Sequence, residues 1–192
     1  MTIAILIIAL SSLAQETGTF TDPRDGKTYK TVKIGTQTWM AENLNFKTSD
    51  SWCYDDSISN CATYGRLYTW DVAKKACPVG WHLPETEEWT TLTDYLGGVD
   101  YAGVKLKEAG TVHWARPNAG ARNSSGFSAL PGGYRNYEDK FLWINNTGTW
   151  WSSNWYDVLK AGTFSLYNNL NSSKTGGNYK LSGFSVRCIA DK

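Results

Sequence analysis

The chain has 192 residues, which is long enough for one domain, with or without a small appendage, to bury a hydrophobic core of its own. The 19 lysines and arginines nearly balance the 18 aspartates and glutamates, so the formal net charge is only +1. Because the net charge is close to zero, the protein would release few counterions from a nucleic acid on binding it. We therefore exclude nucleic acid from the predicted partners.

The first 14 residues, MTIAILIIALSSLA, form an uncharged apolar stretch that ends in small residues suited to signal peptidase. The stretch is too short to cross a bilayer comfortably. We predict a signal peptide at residues 1–14 and one domain at residues 15–192, secreted or held at the cell surface. Because no lysine or arginine precedes the apolar run, a retained N-terminal anchor and a misplaced start codon are the alternatives.

The segment from Thr19 to Trp39 predicts antiparallel hairpins. An Asp-Gly turn at Asp25-Gly26 precedes alternating strand residues, and a second turn follows at Gly35. Residues 41–64 are polar, and we predict irregular structure there.

Apolar spacings of three and four residues predict a first helix with Thr69 as its N-cap. Its buried face would contain Leu67, Trp70, Ala73 and Cys77. Pro78 and Gly80 would end this helix, and a short strand is predicted at residues 81–83.

A second helix is predicted after Pro84, with Trp89, Leu92 and Leu96 buried and Gly97 as its stop. Its first turn is acidic, through Glu85, Glu87 and Glu88. Paired carboxylates could also suggest glycoside hydrolysis, but capping and the helix dipole explain acidic residues at a helix start more simply.

Beyond residue 99 the sequence shows little helical periodicity and many turn residues. The predicted short strands are residues 127–130, 141–143, 149–152, 163–167 and 183–189.

Four cysteines in an exported chain are expected to pair, and three connectivities exist. The favoured one joins Cys53 to Cys61 locally and Cys77 to Cys188 over a long distance. A zinc site is disfavoured, because no cysteine pair has zinc-ligand spacing and His82 lies far from His113.

Seven blocks follow one another in a characteristic order: TVKIGTQTWMAENLNF, SWCYDDSISNC, YGRLYTW, CPVGWHLPETEEW, GFSALPGGYR, TWWSSNWY and GFSVRCIAD. This order resembles the Fibrobacter succinogenes major paralogous domain of exported bacterial proteins, over about residues 19–191. A helix that ends in cysteine and a last strand that contains one also resemble the C-type lectin-like fold. The resemblance implies an α+β fold with two helices packed on small twisted antiparallel sheets and long loops, and it implies the pair Cys77 with Cys188.

The block around Glu85 is also similar to formylglycine-generating sulfatase-modifying enzymes, which use active-site thiols. Those thiols have no match here, because Cys188 is the only cysteine in the C-terminal half and is assigned to the structural pair. His82 in a short strand and His113 in a polar loop lack a neighbouring nucleophile motif. We therefore predict that the chain is not an enzyme.

No cofactor is predicted, and a structural calcium ion is kept as an alternative. Carboxylates at Asp50, Asp55 and Asp56 could gather calcium, as could Asn154 with Asp157. Neither the EF-hand spacing nor the Glu-Pro-Asn triplet of calcium-dependent lectins occurs, and Arg116-Pro117-Asn118 places the wrong charge in a similar position.

Residues 134–179 combine many aromatic residues with eight asparagines and many serines and glycines, a composition typical of adaptable binding surfaces. Trp150, Trp151 and Phe184 are predicted to be core instead. The candidate binding residues are Tyr137, Trp143, Asn154, Trp155, Tyr156, Asp157, Tyr167 and Tyr179.

The predicted function is non-catalytic recognition or assembly at the bacterial cell surface. The partner would be an extracellular protein or a glycan, within a larger outer-membrane or surface assembly in some cases. A sulfatase-modifying relative with a degenerate active site and a diversified ligand-binding receptor are the competing hypotheses.

Overall fold

The computed structural model describes residues 15–192, so the predicted signal peptide at residues 1–14 lies outside the described residues. The described helices are α1 (Ile58–Tyr64), α2 (Trp70–Ala76), α3 (Thr86–Tyr95) and α4 (Val99–Leu106), with a 3-10 turn at Tyr54–Asp56. The described strands are β1 (Thr17–Thr21), β2 (Thr28–Ile34), β3 (Gln37–Met40), β4 (Ser51–Trp52), β5 (Leu67–Tyr68), β6 (Trp81–His82), β7 (Tyr134–Arg135), β8 (Phe141–Leu142), β9 (Thr147–Trp155), β10 (Lys160–Tyr167), β11 (Ser173–Tyr179), β12 (Phe184–Ser185) and β13 (Ile189–Ala190).

The strands form three small sheets. The first has the order β1-β2-β3-β13-β6, the second β11-β10-β9-β12-β5-β4, and β7 pairs with β8 alone. Pairing is antiparallel except between β9 and β12, where Ser185 lies beside Trp150 in parallel register. The C-terminal segment therefore supplies an interior strand to both large sheets, which confirms the predicted α+β class with small, mostly antiparallel sheets.

Strand β9 divides the core between its two faces, because successive side chains on a strand point in opposite directions. Trp150 belongs to a cluster that α3 and α4 cover, in which Trp89 stacks on Phe164 at 4.4 Å. Trp151 belongs to a second cluster with Tyr68 and Val186. Trp150, Trp151 and Phe184 are all buried, as predicted.

Both predicted disulfides are present. Cys53, directly after β4, is bonded to Cys61 in α1, and Cys77, directly after α2, is bonded to Cys188, directly before β13. The second bond closes a separation of 111 residues and so ties helix α2 to the C-terminal segment. In the chain-entropy description, such a long loop restricts the unfolded state strongly.

Several local predictions are confirmed. Gly26 and Gly35 have positive φ values of 74° and 61° in the turns that flank β2. Helix α3 begins with a capping box, in which Glu85 accepts a backbone N–H and the Glu88 side chain accepts the N–H of Glu85. The predicted acidic first turn thus has a structural role.

The prediction of two helices was wrong, because the described residues contain four. Helix α1 buries only Cys61, so it lacks the apolar stripe by which helices are recognised. Helix α4 contains Gly103, where any added Cβ would clash with the Asn171 backbone. That glycine permits close packing and lowers the helical propensity that the sequence shows.

The strand predictions also need correction. Residues 127–130 do not form a strand, because Ser128 has a φ of 53° and interrupts the extended backbone between two buried residues. Residues 183–189 divide between β12 and β13, which belong to different sheets. Leu67 lies in β5 rather than in the first helix. The glycine-containing edge strand β11 was missed because it has no apolar alternation.

Candidate functional site

The eight predicted binding residues fall into three sets in the structure. The first forms an exposed aromatic surface at the tip of the β9–β10 hairpin. The second holds backbone turns in place. The third lines a cleft on the face of the six-stranded sheet.

The exposed aromatic surface, here called the hairpin patch, consists of Tyr137, Trp155, Tyr156, Val158, Leu159 and Tyr179. Every member is exposed, from 41% for Tyr179 to 78% for Val158. Tyr137 meets Tyr179 edge to face, with ring centroids 4.7 Å apart. The ring of Tyr156 rests against the backbone at Gly177, where a side chain would collide with it. Exposed rings from three chain segments therefore lie at or beside this hairpin.

Two lysines tie the segments of the hairpin patch together. Lys180 donates through Nζ to the carbonyl oxygens of Asp157 (3.1 Å) and Val158 (3.0 Å) and lies 5.5 Å from the Trp155 ring. Lys160 lies 5.2 Å from the Tyr179 ring. Such cation–π contacts hold the rings in place and leave positive charge at the surface.

Asn154 and Asp157 make intramolecular hydrogen bonds. The Asn154 amide oxygen accepts the backbone N–H of Thr86 at the start of α3. Asp157 Oδ1 accepts the N–H groups of Leu159 and Lys160, each at 2.8 Å. Asn154 thus connects the end of β9 to helix α3, and Asp157 stabilises the turn of the hairpin that carries the patch.

Trp143 and Tyr167 belong to the third set, at a cleft of about 180 Å³ that we call the hydroxyl cleft. Its floor is made by side chains of three neighbouring strands: Thr147, Thr149, Ser165 and Asn178. Its walls are aromatic: Tyr134, Trp143, Tyr167 and Phe184.

The environment of the cleft changes the pKa of Tyr134. Burial raises the pKa of Tyr134, and the nearby Tyr167 contributes a smaller increase. The Tyr134 phenol is therefore neutral at physiological pH. Of the eight lining residues, only Trp143 and Tyr167 were among the predicted binding residues. The other six lining residues were not predicted. The sequence indicates them only through the hydroxyl side chains of Thr147 and Thr149, which are two residues apart and so lie on one face of the strand.

The two histidines lie in separate surface pairs. His113 Nδ1 is 2.8 Å from a Glu108 carboxylate oxygen. His82 lies between two carboxylates, with Nδ1 at 2.7 Å from Asp191 and Nε2 at 3.0 Å from Glu88. Burial lowers the pKa of His82, but the hydrogen bonds to Asp191 and Glu88 together outweigh burial and raise it above the usual value.

This arrangement predicts a pH-dependent contribution of His82 to stability. Because the pKa is raised on folding, the contribution is complete below the unfolded pKa of about 6.5 and is lost as pH rises through the folded value. Urea unfolding should show that His82→Gln destabilises the protein more at about pH 5 than at about pH 8. Since the side chain is 38% exposed, the difference should stay below about 1 kcal/mol. Equal destabilisation at both pH values would contradict the assignment.

Within residues 15–192, no group of three or more His, Cys, Asp and Glu side chains is placed to hold a metal ion. Asp50, Asp55 and Asp56, considered above for calcium, all have positive φ values in the turns around β4. In the same part of the chain, no helix is long and apolar enough to cross a membrane.

Residues 32–190 match the Fibrobacter succinogenes major domain. The chain belongs to this family. The matched region contains all four helices, both disulfides, the hairpin patch and the hydroxyl cleft. Comparison with curated proteins and with solved structures gave no match.

The Fibrobacter succinogenes major domain of this chain buries a lysine next to the hydroxyl cleft. Lys107 Nζ donates to the carbonyl oxygens of Ala119 (3.1 Å), Tyr167 (3.0 Å) and Leu170 (2.8 Å). Burial lowers the pKa of Lys107 to about 8. The three carbonyl acceptors compensate the buried ammonium group, which joins a long loop to the end of β10 and so fixes the backbone of Tyr167.

Proposed function

We propose that the chain is an exported, non-catalytic recognition or assembly module that binds a protein partner through the hairpin patch. The observation that carries this proposal is the exposure of four aromatic and two aliphatic side chains at or beside one hairpin tip. Monomeric proteins rarely expose such clusters without a function, and tyrosine and tryptophan are the residues most enriched in binding hot spots.

The charges around the patch indicate the chemistry of the partner. Lys160 and Lys180 flank the rings, while Asp157 accepts two backbone hydrogen bonds in its own turn. The carboxylates next to Tyr137 are paired with cations, Glu138 with Lys140 and Asp139 with Arg135. A complementary surface would therefore carry carboxylates around an apolar centre. We propose an extracellular protein with an acidic rim as the partner, within an outer-membrane or surface assembly.

The experiment starts with capture from the native cell surface and identification of the bound protein. The purified partner is then titrated against the wild type, Trp155→Ala and Tyr156→Ala. We expect each variant to lose about 1 to 3 kcal/mol of binding free energy, the range of hot-spot aromatics. Melting temperatures should hardly change, because both rings project into solvent.

Val79→Ala is the matched control, because Val79 is an apolar residue that is 96% exposed outside the patch. It should bind like the wild type. Lys160→Gln with Lys180→Gln should weaken binding and reduce its salt dependence. If the aromatic variants bind the partner normally, the patch is not the interface and the proposal fails.

Glycan recognition is a second candidate, favoured by the hydroxyl cleft with its aromatic walls. A glycan array run beside the capture experiment separates the two. The sulfatase-modifying hypothesis is weaker, because each of the four cysteines takes part in a disulfide and no thiol remains for that chemistry.

We also propose that the domain has a C-type lectin-like fold. Support comes from the disulfide between the end of α2 and the C-terminal segment, the pairing that the resemblance implied. A diversified receptor would use the same face, and many genomic copies that differ only within residues 134–179 would favour it.

A further inference from the structure

The hydroxyl cleft is polar but uncharged. Among the described residues, those that line it include no aspartate, glutamate, lysine, arginine or histidine. A charged ligand would lose its hydration there without gaining a counterion, which is strongly unfavourable. A neutral ligand with several hydroxyl groups has the matching chemistry.

The floor of the cleft retains hydrogen-bonding capacity. Thr149 Oγ1 and Ser165 Oγ share one hydrogen bond of 3.0 Å, and Thr149 Oγ1 also lies 3.5 Å from Thr147 Oγ1. Each hydroxyl oxygen has two lone pairs, so acceptor sites remain available on Thr149 and Ser165. Asn178 donates one amide hydrogen to Thr163 Oγ1 at 2.8 Å, and its amide retains further donor and acceptor sites. Hydroxyl and amide groups can both donate and accept hydrogen bonds, as the adjacent hydroxyls of a sugar ring do.

Trp143 supplies an exposed aromatic surface at the edge of this floor. Its side chain is 60% exposed, and its φ is 66°, a left-handed conformation that is unfavourable for a bulky residue. The backbone is held there because the N–H groups of Asn146 and Thr147 both donate to the Trp143 carbonyl oxygen at 3.1 Å. A strained, exposed indole beside a polar floor is typical of a residue retained for binding.

We infer that the hydroxyl cleft binds one neutral sugar residue, with the apolar face of the ring against Trp143 and its hydroxyls on Thr149, Ser165 and Asn178. The cavity of about 180 Å³ is smaller than the typical range of about 300 to 1,000 Å³ for sites that enclose drug-sized ligands. It therefore suits a single residue whose neighbours in a longer glycan project into solvent. The inference rests on the proposed function for one assumption, which is that the domain is a recognition module.

The test is a titration of the whole domain with neutral methyl glycosides of glucose, galactose and mannose and with N-acetylglucosamine. Indole resonances in NMR spectra and intrinsic fluorescence report the binding. At least one neutral glycoside should bind with a Kd on the order of 1 mM, as expected for a small ligand with few contacts. Glucuronate and galacturonate should bind more weakly than their neutral counterparts.

Trp143→Gly is the decisive variant, because glycine adopts a positive φ without strain. We expect it to fold with unchanged or increased stability and to lose sugar affinity by about tenfold or more. Ser165→Ala should lose about threefold to tenfold, the effect of one hydrogen bond. Trp155→Ala, in the hairpin patch, is the matched control and should bind the sugar normally.

Failure to bind any neutral glycoside would overturn the inference, as would equal binding of the uronates or unchanged affinity in Trp143→Gly. None of the residues that line the cleft belongs to the hairpin patch, so the two proposals fail separately. Loss of sugar binding in Trp143→Gly with normal binding of the protein partner would support both.

Discussion

Trp150→Ala should lower the free energy of unfolding by about 3 to 5 kcal/mol, the usual result when a buried tryptophan is truncated. Trp150 is fully buried, and its ring lies within 6.4 Å of those of Trp89, Phe127 and Phe164. Its indole N–H donates to Asn43 Oδ1 at 2.8 Å. Alanine would leave a cavity between the sheet and the helices that cover it.

Trp155→Ala is the internal control for this prediction, because Trp155 lies on the same strand and is 64% exposed. It should change stability by less than about 0.5 kcal/mol. Trp150→Phe should fall between the two, since it keeps a ring but loses the N–H donor. Urea unfolding of the three variants measures the series. A Trp150→Ala variant as stable as Trp155→Ala would contradict the assignment of Trp150 to the core.

Local patterns predicted much of this fold. Helix α3 was recognisable because its capping residues and its buried Trp89 and Leu92 follow helical spacing. Trp150 and Trp151 were predicted as core, whereas Trp155 and Tyr156 were predicted as surface because polar residues flank them. The structure buries the first pair and exposes the second.

Other elements depend on contacts that no local pattern contains. Helix α4 needs Gly103 against the Asn171 backbone, and α1 is fixed by the Cys53–Cys61 bond rather than by an apolar face. Strand β11 exists because β10 offers it a pairing edge. Tertiary context decides such segments more strongly than propensity does.

The grouping of residues in the candidate site also depends on tertiary contacts that local sequence patterns do not contain. Exposure of Tyr137 and Trp155 followed from their polar neighbours, but the partner of Asn154 could not be anticipated, because Thr86 is 68 residues away. The hydroxyl cleft combines residues of strands and of turns that approach one another only in the folded sheet. Sequence reasoning could therefore find individual aromatic residues and could not group them into two surfaces.

Arg187 occupies the centre of the fold and gives the second large expected effect. The side chain is fully buried, and its acceptors are all neutral oxygens. Nη2 and Nε donate to Asn43 Oδ1 at 2.7 and 3.0 Å, and Nη1 donates to the carbonyl oxygens of Phe127 (2.7 Å) and Met40 (3.2 Å). Burial lowers the pKa of Arg187 to about 9, so the guanidinium remains charged at neutral pH.

Arg187→Met should destabilise the protein by about 3 to 5 kcal/mol, because it removes the donors and leaves several buried acceptors unpaired. Arg187→Lys keeps the charge but not the planar arrangement of donors, so it should recover only part of the loss. Urea unfolding at neutral pH measures both variants.

Asn43 also accepts a hydrogen bond from Trp150, so Arg187→Met and Trp150→Ala each remove a donor from the same amide oxygen. Their combined effect on stability should therefore differ from the sum of the single effects. If Arg187→Met unfolds at the wild-type urea concentration, the buried guanidinium does not connect the N-terminal segment to the C-terminal one. The stability of the domain would then have to come from the aromatic clusters and the disulfides alone.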